Sequence, residues 1–89
     1  MEIVKIASAG TLESSDVFVE VAPGKGGVEV ELESVVQLQF GEAIEAVVRD
    51  VLAENGVNNA AVRVTDRGAL ECVIRARVET AVLRGKGEA

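Results

Sequence analysis

With 89 residues, no histidine and a single cysteine, the chain lacks the commonest general base, the commonest metal ligand, a Cys/His dyad and any internal disulfide. Its balance of 9 basic against 15 acidic residues, net charge -6, repels phosphate backbones and anionic membranes and favours basic protein partners. A chain of this size folds as one domain, residues 1–89, whose modest core buries about 60–65% of the unfolded surface and leaves little room for an enclosed active site.

The first strongly patterned segment is residues 16–22, where Val17, Val19 and Val21 alternate with Phe18 and Glu20, which predicts a strand. The serines that precede it, Ser14 and Ser15, lie between Glu13 and Asp16 in "AGTLESSD", residues 9–16. Two readings of these serines stand. Short polar residues before a strand make turns, and an exposed serine without a base of its own can be offered to another enzyme as a modification site, phosphorylation included.

"PGKGG", residues 23–27, ends the strand. It lacks the spacing of a phosphate-binding loop and does not open a helix, so it reads as a turn. In "VEVELES", residues 28–34, Val28, Val30 and Leu32 share one strand face and Glu29, Glu31 and Glu33 the other, a solvated acidic face and not a cation site. The two strands are expected to pair as a hairpin.

From Gly41 the period changes: Ile44, Val47, Val48, Val51 and Leu52 follow the spacing of one helix face, with Glu45 and Arg49 able to pair outside it. Asn55-Gly56 supplies a left-handed stop. Val62 and Val64 begin a third strand, which "DRG" at residues 66–68 turns. Leu70, Cys72, Ile74, Ala76 and Val78 then alternate as in a fourth strand from about Ala69, with Cys72 inside as a small hydrophobe. Ile74, Val78, Ala81 and Val82 also satisfy helical spacing, so residues 75–84 read as either strand or short helix. The expected fold is α+β: a small antiparallel sheet in ββαββ order, its central helix packed on one face and a short C-terminal helix possible at the end. Only Phe18 and Phe40 are aromatic, too few to stack bases. With neither a signal-like segment nor an 18-residue apolar run, the chain is expected in the cytoplasm.

"AGTLESSD" at 9–16 and "DRGALECVIRARVE" at 66–79, with "QFGEAIEAVVRDVLAENGV" between them, resemble the acyl carrier protein (gamma) subunit of bacterial citrate lyase over nearly the whole chain. The resemblance implies that the serine of the "GTLES" block, Ser14, carries 2'-(5''-phosphoribosyl)-3'-dephospho-CoA through a phosphodiester bond, with Ser15 the neighbouring alternative. It implies no catalytic residue and no metal ligand in this chain. The arm, attached by a prosthetic-group transferase, would carry acetyl or citryl as a thioester between an alpha subunit (acyl transferase) and a beta subunit (lyase) as citrate is split into acetate and oxaloacetate. The rival readings are the acyl carrier subunit of malonate decarboxylase, which uses a similar arm, a non-catalytic acidic adaptor module, and a small hydrolase using Ser14, against which the missing histidine counts. Unlike conventional carrier proteins, which resemble four-helix bundles with the modified serine at a helix start, this serine precedes a strand.

Overall fold

The computed structural model describes residues 2–88. Along it run β1 (Ala7–Gly10), β2 (Val17–Pro23), β3 (Val28–Ser34), α1 (Gln37–Glu54), β4 (Ala60–Asp66) and α2 (Glu71–Gly85). The strands form one sheet in the order β1-β2-β4-β3, with β1 and β4 antiparallel to β2 and β3 parallel to β4.

The pleat sorts the side chains. Val17, Val19 and Val21 of β2 stand beside Asp66, Val64 and Val62 of β4, and all six are buried. Val28, Val30 and Leu32 continue this face across β3, and Ala7 and Ala9 across β1. Both helices cover it: Ile44, Val47, Val48, Val51 and Leu52 of α1 and Ile74, Val78, Ala81 and Val82 of α2 complete the core. The other face is open, and there Arg63 stands between Glu20 and Glu31 and bonds Glu31 at 3.0 Å.

The α+β class holds, and four features of the layout differ from the sequence expectation. β2 and β3 do not form a hairpin, because β4 lies between them and the sheet is mixed. The reason lies in the loop after β2: the Asn59 side-chain carbonyl accepts from the amides of Gly26 and Gly27, and the Ala60 amide donates to the Gly27 carbonyl. These bonds carry the chain past β2 and set β3 on the outer edge of β4. An edge is also where alternating carboxylates cost least and block pairing with other chains.

Second, the expected fourth strand is α2. Alternation would bury Leu70 and Cys72, and both are exposed. The buried set Ile74, Val78, Ala81, Val82 and Gly85 keeps the helical spacing instead. Gly85 is part of the fit: a Cβ there would lie 2.9 Å from a methyl of Val21 and 3.1 Å from one of Ile3. Third, "ASAG" forms an edge strand, β1, that its small residues did not announce. Fourth, α1 begins at Gln37, one turn before Gly41. The Gln37 side-chain carbonyl accepts from the Ser34 amide and the Ser34 hydroxyl accepts from the Val36 amide, two bonds that hold the turn leading into the helix.

At its other end α1 stops as expected. Gly56 has φ +70°, its amide donates to the Ala53 carbonyl, and the Val57 amide donates to that of Leu52. That pair of bonds is the Schellman closure.

Candidate functional site

The two serines lie in the six-residue loop from Thr11 to Asp16, between β1 and β2. The turn into it depends on Gly10, whose φ is +95° and where a Cβ would come 1.8 Å from the Val17 carbonyl oxygen.

Asp16 organises the loop from its far end. Its carboxylate accepts from the Thr11 hydroxyl at 2.7 Å and from its neighbour's amide, Val17 N–H, at 2.7 Å. Arg77 of α2 reaches across to donate to both of its oxygens, at 3.2 and 3.0 Å. The Thr11 hydrogen bond first, then those from Arg77 and Val17, hold the Asp16 carboxyl down at about 2. Its side chain is 15% exposed, so the pair with Arg77 is partly sheltered from solvent.

The backbone adds a second tether. The Ser15 amide donates to the Arg67 carbonyl and the Arg67 amide to the Asp16 carbonyl, extending the β2–β4 ladder beyond both strands. Ser15 pays for its place with φ +65°, the only non-glycine residue on the left-handed side among those described. Ser14 and Ser15 are both exposed, and among the described residues the loop's side-chain bonds run through Thr11 and Asp16, leaving the serine hydroxyls facing solvent.

The loop beneath is just as firmly built. Asp66, 1% exposed, accepts from the Ser34 hydroxyl at 2.8 Å and from the amides of Gly68 and Ala69. It thereby joins the end of β3, the end of β4 and the start of α2 directly under the serine loop. Neither Arg77 nor Asp66 stands out in the sequence; Arg77 falls in the segment, residues 75–84, that reads as either strand or short helix.

The remaining candidates are not drawn into this site. Lys25 and the glycines around it form the turn bound to Asn59. Glu29, Glu31 and Glu33 lie on the exposed sheet face. Cys72 is an exposed thiol in the first turn of α2 instead of a core residue. Among the described residues no group of three or more His, Cys, Asp or Glu side chains is placed to hold a metal ion.

The loop tied down by Asp16, Arg77 and Arg67 thus holds Ser14 and Ser15 exposed to solvent. The sequence profile of the family described as malonate decarboxylase delta subunit (MdcD) matches residues 4–85. The chain is 59% identical to the citrate lyase acyl carrier protein of Escherichia fergusonii, over 94% of this chain and 88% of that one. It is 54% identical to the corresponding protein of Haemophilus influenzae strain Rd, over all of this chain and 93% of the relative. A chain in the crystal structure of a Pseudomonas malonate decarboxylase hetero-tetramer in complex with malonate shares the fold, with TM-score 0.75 at 20% identity, over 86% of this chain and 79% of that one. The chain is thus an acyl carrier of the class that this profile describes. Within that class it belongs to the citrate lyase acyl carrier protein family.

Proposed function

We propose that residues 1–89 are a single acyl-carrier unit of a cytoplasmic citrate lyase, with 2'-(5''-phosphoribosyl)-3'-dephospho-CoA joined to the Ser14 hydroxyl. The observation that carries this reading is the contrast at the loop: a solvent-facing serine on a turn whose base is tied by Asp16, Arg77 and Arg67. A hydroxyl so placed is open to a transferase, and no neighbouring structure would have to move to admit a phosphodiester. The exposed, unengaged Ser14 and the fixed geometry around it therefore fit the group.

The arm supplies a terminal thiol that carries the acyl group, chemistry for which this chain offers one cysteine, Cys72, on the first turn of α2. The chain's own residues position. Asp16 and Arg77 fix the direction in which the loop leaves the sheet, and Thr11 closes it from the other side. Asp16 cannot serve Ser14 as a general base, since a carboxyl held at about 2 has little affinity for a proton near neutrality. Glu13 and the net charge of -6 favour an approach by basic surfaces.

Tethering makes the second encounter intramolecular, at an effective concentration of the order of millimolar for a flexible link that spans the sites. The partners of this reading are the alpha (acyl transferase) and beta (lyase) subunits and the prosthetic-group transferase. The name of the family profile and the Pseudomonas neighbour favour a second reading, the carrier of a malonate decarboxylase; the identities of 54–59% with citrate lyase carriers favour the first.

Reconstitution tests it. The armed protein alone should not turn over citrate, and addition of both citrate lyase subunits should produce acetate and oxaloacetate. Turnover by the isolated chain would overturn the carrier reading. Activity with malonate decarboxylase subunits in place of citrate lyase subunits would select the second reading.

A further inference from the structure

Residues 13–16 form a tight turn, closed by the Asp16 amide, which donates to the Glu13 carbonyl at 3.1 Å. Ser14 is its second residue and Ser15, at φ +65°, its third, the position where a turn of this kind takes a left-handed residue. Across from it one residue faces two. The Arg67 carbonyl accepts from the Ser15 amide at 2.8 Å, and the Arg67 amide donates to the Asp16 carbonyl at 2.9 Å. Ser15 and Asp16 together thus stand opposite Arg67, a β-bulge with its left-handed residue first. The bulge fixes the backbone of Arg67 beside the turn, directly across from the neighbour of Ser14.

The side chain of Arg67 is exposed and, among the described residues, has no ion pair or hydrogen bond. Most other cations are engaged. Arg49, Arg63, Arg75 and Arg77 are paired with carboxylates, and Arg84 and Lys86 donate to the carbonyls of Ser8 and Asn55. Lys5 and Lys25 are the exceptions, and both lie at the other end of the sheet. The Lys5 amide donates to the Gly85 carbonyl at the close of α2, and Lys25 lies past Pro23, where β2 ends, whereas the serine loop is where β2 begins. Arg67 is therefore the one unmatched cation at the end that bears Ser14.

An anion on Ser14 needs such a cation. It would stand next to the exposed Glu13 in a chain of net charge -6, and the nearer arginine partner of this loop, Arg77, is already committed to Asp16. A guanidinium suits a phosphodiester because its planar fork of donors matches two phosphate oxygens at once.

We propose that Arg67 binds the phosphodiester that joins the arm to Ser14, donating to its non-bridging oxygens and holding the root of the arm beside the end of β4. The proposal rests on the carrier reading. A root held in this way limits the directions in which the arm leaves the loop, and the links beyond it stay free to span two partner sites.

The test compares the protein before and after loading by the prosthetic-group transferase and its nucleotide substrate, with intact mass reporting the loading. In the loaded parent the Arg67 Nε–H resonance should shift and its exchange with water slow severalfold, while those of Arg49 and Arg63 stay in place. Phosphorus resonance should separate the phosphodiester signal of the loaded parent from that of loaded Arg67→Gln, the pyrophosphate signals farther out on the arm remaining unmoved. Arg67→Lys should fall between them, since it keeps the charge and loses the fork. Added salt should move the parent toward the Gln variant. Arg67→Gln keeps both backbone bonds, so before loading it should match the parent's circular dichroism and melting temperature. An Arg67 signal in the parent that loading leaves unmoved would overturn the proposal and leave the carrier reading intact, and this measurement decides even where Arg67→Gln resists loading. Identical phosphodiester signals in the loaded parent and loaded Arg67→Gln would overturn it as well. A parent that gains no arm, or a single phosphate in its place, would overturn the carrier reading and the proposal with it.

Discussion

Arg77 and Asp16 are 61 positions apart in sequence, and the guanidinium of one donates to both carboxylate oxygens of the other. The contact links the second helix to the loop that presents Ser14, and it is the one side-chain bridge between them among the described residues. Removing it should leave the core in place and free the loop. Arg77→Met should therefore raise the hydrogen exchange of the Ser15 and Val17 amides severalfold while barely changing the exchange of the β2 and β4 interior, and it should slow attachment of the arm. Unchanged exchange at both amides would show that the backbone ladder to Arg67 suffices without the ion pair.

The same carboxyl sets a pH dependence. Its value in the folded chain, about 2, lies below the ordinary 3.8, so its contribution is fully present above the latter and is lost as pH falls through the former. Nuclear magnetic resonance of the loop amides should show native shifts down to about pH 4 and a change between about pH 4 and 2. Asp16→Asn should remove that transition and show a loosened loop at neutral pH as well.

Ser15 offers a test of backbone strain. A non-glycine residue in the left-handed region costs roughly 1–2 kcal/mol, and β-branching makes it worse. Ser15→Val should destabilise the protein by about 1–2 kcal/mol. Ser15→Gly should fall within about 1 kcal/mol of the parent, since relief of strain and greater freedom of the unfolded chain oppose each other. Denaturant unfolding of the pair measures both; a Val variant as stable as the Gly variant would show that the loop does not require φ +65° there.

In the core, Val48 of α1 is fully buried in the cluster that the two helices form with the sheet. Val48→Asp would bury an unpaired charge and should cost about 3–5 kcal/mol or prevent folding. Glu45→Gln, which breaks an exposed pair with Arg49, should cost less than about 1 kcal/mol. A melting temperature for Val48→Asp near that of the parent would show that α1 does not contribute its buried face to the core.

What could be read from sequence was what repeats locally. The valines of β2, the Val/Glu alternation of β3 and the Ile44–Leu52 spacing of α1 each carry their period within a few residues, and each element is there. The partnering of strands depends on distant atoms instead: nothing near Gly26 and Gly27 announces that Asn59, more than thirty residues on, will bind their amides and place β3 beyond β4. The stretch from Leu70 to Val78 satisfied both periods, and the deciding residues lay later, at Ala81, Val82 and Gly85, which only a helix buries together with Ile74. For the site, the serine loop was legible from its residues and its resemblance. Its frame was not, because Arg77 reaches Asp16 only once residues 71–85 are helical.

Attachment of the arm to Ser14 is most directly tested by intact mass and peptide mapping of the protein made together with the prosthetic-group transferase and its nucleotide substrate. The parent should gain the mass of the phosphoribosyl-dephospho-CoA arm on the peptide that contains residues 14 and 15. Ser15→Ala should gain it too, and Ser14→Ala should remain unmodified while keeping the parent's fold. Full labelling of Ser14→Ala together with none of Ser15→Ala would move the site by one residue, and a parent that gains a single phosphate or no mass at all would contradict its role as a carrier.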